Sequence, residues 1–138
     1  MKRLLGLALA VAAAGGAQAQ VAEIKIVGDG IPQSLTGKPG DASRGRALLI
    51  KRDPATCLTC HSIKDKDMQP GGTKGPALDG IGATLTPAQL RLSLVDLSRV
   101  TKGTVMPSFH KASFGSDSPK LTAEQIEDVV AYLSTLRK

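Results

Sequence analysis

The chain has 138 residues, 41% hydrophobic and 22% charged, with a formal net charge of +6. That length fits one domain, and the apolar share excludes a wholly disordered chain. Aromatics are scarce, with two Phe, one Tyr and no Trp. Large buried rings are a main way for a small domain to stabilise itself, so a bound apolar group would supply missing bulk. Two cysteines are too few for a disulfide-dense scaffold.

Residues 1–19 read as a cleaved signal peptide rather than as a buried or membrane helix. Lys2 and Arg3 precede an uncharged run too short to span a bilayer, and Ala17-Gln18-Ala19 fits a small-residue cleavage site. The expected mature chain is exported, to a periplasm. No later stretch is apolar enough to cross a membrane. The basic residues are scattered and not interleaved with stacking aromatics, which argues against nucleic-acid binding.

Residues 20–40 contain Gly28, Gly30, Pro32, Gly37, Pro39 and Gly40, and are expected as an irregular N-terminal arm. The remainder, 41–138, is expected as a single all-α domain. Asp41 caps a helix running to about Lys51, in which Gly45 signals close approach by another element. Residues 62–82 read as loop. Thr86-Pro87-Ala88-Gln89 is a helix start with a capping box, followed by Leu90, Leu94 and Leu97 on one face. Thr122 and Gln125 form a second box, opening a helix that carries Ile126, Val129, Val130, Leu133 and Leu136. No alternating apolar run is long enough for a strand.

Cys57-Leu58-Thr59-Cys60-His61 is Cys-x-x-Cys-His, the attachment signature for c-type haem. Cys57 and Cys60 can each add to one haem vinyl group, and His61 is then held where its imidazole can coordinate the iron. A thioredoxin-like redox pair would want strand–helix alternation and gives His61 no role. A zinc site lacks ligands, because His61 and His110 are the only histidines and there is no third cysteine. The sixth iron position has three candidates. Met106 is expected to fill it, because Pro107 stiffens its loop. Met68 is expected to fill the core, and His110 to sit at the surface or the haem edge. His/Met ligation saturates the iron and leaves one-electron transfer as the chemistry.

These residues resemble a class I cytochrome c. Gly45, the haem motif, Gly75-Pro76-Ala77-Leu78, Met106-Pro107 and Tyr132 stand in that family's order. The resemblance implies one covalently bound haem c, with His61 and Met106 as axial ligands. It implies that Gly45 lets the terminal helices cross near Tyr132, and that the Pro76 carbonyl accepts the second ring N–H of His61. The flanking blocks Gly37-Lys38-Pro39-Gly40-Asp41, Gly75 onward to Gly82, Gly103 onward to Phe109 and Leu121 onward to Leu133 resemble the SoxX family, monohaem subunits of the SoxAX cytochrome. That resemblance implies a periplasmic heterodimer with the larger subunit SoxA, joining thiosulfate to the SoxYZ carrier cysteine. Electrons would leave to a soluble cytochrome acceptor, and the sulfur chemistry would sit in the partner, as in an L-cysteine S-thiosulfotransferase. The alternative function is a free-standing periplasmic electron shuttle. A haem-based sensor would need a labile sixth ligand, against Met106-Pro107. Residues 27–35 and 109–114 are candidate partner surfaces.

Overall fold

Asp41 starts the first helix, its Oδ1 accepting the Arg44 backbone N–H at 2.9 Å, which satisfies an orphan donor of the first turn. The computed structural model describes residues 23–51, 57–110 and 121–138. The expected signal peptide and Phe114 lie outside the described residues. The order is α1 (Ala42–Lys51), a 3₁₀ turn (Cys57–Thr59), α2 (Ile81–Thr84), α3 (Pro87–Asp96), a second 3₁₀ turn (Leu97–Arg99) and α4 (Ala123–Thr135). Among the described residues no strand forms, and pairing is limited to the isolated bridges Val27–Gly30 and His110–Leu121. The all-α expectation holds.

Both predicted capping boxes are present. Thr86 and Thr122 accept from the backbone of Gln89 and Gln125, whose side chains return the bond. α4 stops at Thr135, with Leu136 as its cap rather than its last turn. The short α2 was not expected. It follows Gly80, which stands at a φ of 76°, a left-handed backbone that glycine adopts without strain.

α1 and α4 cross in contact. A β-carbon on Gly45 would stand 2.0 Å from the Asp128 carbonyl oxygen and 3.0 Å from Tyr132 Cβ. The expected crossing near Tyr132 is therefore realised backbone against backbone. Leu49, Leu92, Leu121, Ile126 and Val129 are fully buried around it, each side chain stabilising the fold by roughly 1.5–3 kcal/mol.

The arm is irregular, yet Ile31 and Leu35 belong to the core. Ile31 and Leu35 are each 1% exposed, and the Ile31 N–H donates to the Ala88 carbonyl at 2.9 Å. Two buried charges tie the arm down. Arg91 Nη1 donates to the Ile31 carbonyl at 2.6 Å, and Glu127 Oε1 accepts the Leu35 N–H at 2.9 Å. Within the expected partner surfaces 27–35 and 109–114, Ile31, Leu35 and Phe109 turn inward, residues 27–29, 32 and 33 stay exposed, and 111–114 lie outside the described residues. Of the arm's large hydrophobics, Ile26 and Val27 stay exposed.

Candidate haem site

The 3₁₀ turn at Cys57–Thr59 folds the haem motif onto itself. The Cys57 carbonyl accepts the Cys60 N–H at 3.2 Å and the His61 N–H at 2.9 Å. Leu58 points into the core and anchors the turn. The two thiols form no disulfide. Burial pushes the Cys57 thiol up to about 11, so it is protonated at neutral pH. A dithiol redox centre needs the opposite, a thiolate stabilised at low pKa. Among the described residues, no group of three or more His, Cys, Asp or Glu side chains is placed to hold a metal ion.

Residues 71–78 lie directly across this turn. Gly72, Gly75 and Leu78 donate their N–H groups to the carbonyls of Leu58, Cys60 and Ser62 at 3.0, 2.8 and 2.9 Å. The approach leaves no room for side chains. A β-carbon would meet the His61 carbonyl oxygen at 1.9 Å from Gly71, the Thr59 carbonyl oxygen at 2.2 Å from Gly72, and the His61 ring at 2.5 Å from Gly75. His61 is thus packed against Gly75. Its Nδ1–H donates to the Pro76 carbonyl at 2.7 Å, as the family resemblance implied. A proton fixed on Nδ1 leaves Nε2 with the lone pair that a metal needs.

Met106 lies on another segment, half-buried and packed against the same apolar core. Its loop is pinned to the end of α3. The Phe109 N–H donates to the Leu94 carbonyl at 2.9 Å, and the Ser108 hydroxyl donates to the Val95 carbonyl. The Met106 N–H donates to Thr104 Oγ1 at 3.2 Å. Met68 is buried in the core, as expected of a filler. His110 is 4% exposed, which corrects the surface half of its expected place at the surface or the haem edge. The bridge to Leu121 carries it inward, next to the buried Phe109.

The donor set fits a c-type haem: two unbridged thiols on one turn, an imidazole with Nε2 as acceptor, and a thioether on a separately anchored loop. The groove of about 410 Å³ between α1 and α4, lined by Arg44, Leu48, Lys51 and Gln125 among others, shares no residue with this set.

Charged residues frame the motif. Arg46 grips Asp65 through two hydrogen bonds of 2.8 and 2.6 Å, and its Nη2 also reaches Asp67 at 2.7 Å. The Tyr132 hydroxyl faces Asp65 Oδ2 at 3.4 Å. Asp79 Oδ1 accepts the Lys64 N–H at 2.8 Å. In the sequence these charges look like a solvated loop, and nothing in their spacing separates them from one.

The cytochrome c family model matches residues 42–137. Among solved structures, a chain of the crystal structure of SoxXA from P. pantotrophus is 36% identical, with a TM-score of 0.75. The match covers 84% of this chain and 96% of that one. The c-type cytochrome SorU from Sinorhizobium meliloti matches at 24% identity and a TM-score of 0.48, over 70% of this chain and 90% of that chain. No curated protein sequence matches. Among the described residues, no helix is long and apolar enough to cross a membrane. With the folded motif, the fitting donor set and the likeness to the SoxXA chain together, the chain belongs to the cytochrome c family, as an electron-transfer chain of the SoxX type carrying one covalently bound haem c.

Proposed function

We propose that this chain is a periplasmic monohaem cytochrome that works as the electron-transfer subunit of a SoxAX-type complex. In this reading residues 1–19 are a cleaved signal peptide, 20–40 an arm and 41–138 the cytochrome domain. Cys57 and Cys60 would form the thioethers, and His61 Nε2 and Met106 would hold the iron. The observation that carries the complex assignment is the 36% identity over 96% of the SoxXA chain.

The haem supplies one-electron exchange between ferric and ferrous iron. The residues do the rest. The Pro76 carbonyl orients His61 through the 2.7 Å hydrogen bond and raises the basicity of its ring. Met106, on a loop pinned to α3, would close the iron to small ligands. Thioether formation uses both cysteines, so no thiol remains here for sulfur transfer. Joining thiosulfate to a carrier thiol forms one S–S bond and releases one proton and two electrons. That step belongs to the larger SoxA partner, acting on the SoxYZ carrier cysteine. The electrons cross this chain one at a time to a soluble cytochrome acceptor.

The test is the native mass of the protein purified from periplasm, with haem staining of each separated chain. A stable pair with a larger haem chain, active with thiosulfate and a thiol carrier, supports the reading. A lone monohaem monomer overturns it in favour of a free-standing electron shuttle.

A further inference from the structure

Asp65 stands four residues beyond His61 and is gripped from two helices at once. Arg46 of α1 holds both its carboxylate oxygens, at 2.8 and 2.6 Å, and Tyr132 of α4 approaches Oδ2 at 3.4 Å. The same segment is tied to residues 76–79 by two further bonds, Leu78 N–H to the Ser62 carbonyl and Lys64 N–H to Asp79 Oδ1, at 2.9 and 2.8 Å. The His61 Nδ1–Pro76 bond spans these same two segments. Its geometry therefore depends on how both are held against the helix crossing. Asp65 is the point where one of them is fastened to α1 and α4.

We propose that Asp65, clamped by Arg46, is a positioning residue for the iron-binding imidazole, holding the His61 segment at the distance where Nδ1 meets the Pro76 carbonyl. The proposal rests on His61 being the iron ligand. A grip confined to stability would only join the loop to the helices. A positioning grip also sets the strength of the Nδ1–H bond, and through it the electron donation of the ligand. Loosening it weakens that bond, makes the ring a poorer donor and favours ferrous iron. The reduction potential then rises.

The experiment uses the haem-loaded protein and four variants. Arg46→Gln and Asp65→Asn break the grip. Arg46→Lys keeps the charge with one contact. Arg44→Gln is the control, because Arg44 is also on α1 but pairs with Asp128 at 2.8 Å and not with the His61 segment. The readouts are hydrogen exchange of the His61 Nδ1 proton, the reduction potential and thermal stability. Arg46→Gln and Asp65→Asn are expected to speed exchange above the parent rate and to raise the potential. Arg46→Lys should recover part of both, while Arg44→Gln lowers stability and moves neither. Exchange and potential at parent values in Arg46→Gln, with stability alone reduced, would overturn the proposal. His61→Ala separates the two readings: a low-spin six-coordinate spectrum retained there would remove His61 as ligand, whatever the Arg46 variants do.

Discussion

Arg91 and Glu127 face each other across α3 and α4 as a buried, bidentate pair, with Nε to Oε1 at 2.7 Å and Nη2 to Oε2 at 2.9 Å. Both side chains are under 10% exposed, at 8% and 3%. Each also holds the arm, Arg91 at Ile31 and Glu127 at Leu35. Removing one partner strands the other charge out of water, which costs about 3–5 kcal/mol. Glu127→Gln and Arg91→Met are each expected to lose about that much stability in denaturant unfolding. The double replacement should cost less than the two singles summed, because no charge is left buried alone. Additive losses would show that the two residues act independently.

At the helix crossing the constraint is steric. A methyl on Gly45 would sit 2.0 Å from the Asp128 carbonyl oxygen, and backbone cannot swing aside as a side chain can. Gly45→Ala must push α1 off α4, with an overpacking cost of at least about 1–3 kcal/mol. A melting temperature equal to that of the parent protein would contradict the close crossing.

Arg46 beside Asp65 holds that carboxyl well below its usual range, at about 2. A carboxyl whose pKa falls on folding stabilises the native state above its unfolded value, and that contribution is lost as pH drops through the folded value. The contribution of Asp65 is therefore complete above about pH 4 and fades toward pH 2. In Arg46→Gln the carboxyl returns toward its ordinary range. The difference in stability between parent and variant should then shrink as pH falls from 4 to 2. A difference that stays constant across that window would show that Arg46 acts without Asp65.

His110 titrates in a different window. Burial lowers its pKa below the ordinary 6.5. A histidine kept neutral in the fold binds its proton more readily when unfolded, so stability falls as pH drops below 6.5 and levels off once the folded site also protonates. Replacing it with Gln removes the titrating group at similar size. His110→Gln should flatten the stability profile in that acidic interval. An unchanged slope would place the acid sensitivity elsewhere.

Local signals carried much of this reading. Asp41, Thr86 and Thr122 announce helix starts by side-chain chemistry acting over three residues, and all three cap as expected. Cys57, Cys60 and His61 are legible for the same reason, since the chemistry lies in their spacing. The buried pair Arg91–Glu127 was not legible. Its partners are separated by 36 residues, and charged residues on a helix ordinarily face water. The inward turn of Ile31 and Leu35 escaped too, because that pair is what holds the arm down. α2 is a single turn launched by a left-handed glycine, too short for hydrophobic periodicity to register.

Met106 is the site residue whose loss should change chemistry without changing attachment. Its loop hangs from α3 through Phe109, Ser108 and the carbonyls of Leu94 and Val95, so truncating the side chain leaves the backbone anchored. The proposed thioether residues Cys57 and Cys60 and the imidazole of His61 lie on a different segment and do not depend on it. Met106→Ala should therefore keep haem through a denaturing gel while the reduced protein gains rapid carbon monoxide binding. If the reduced variant still refused carbon monoxide, another side chain would hold the sixth position, and His110, four residues along the same loop, would be the next to replace. Changing Cys57 and Cys60 together gives the complementary outcome, loss of haem from the denatured chain. Haem that survived on that variant would end the covalent assignment at this motif.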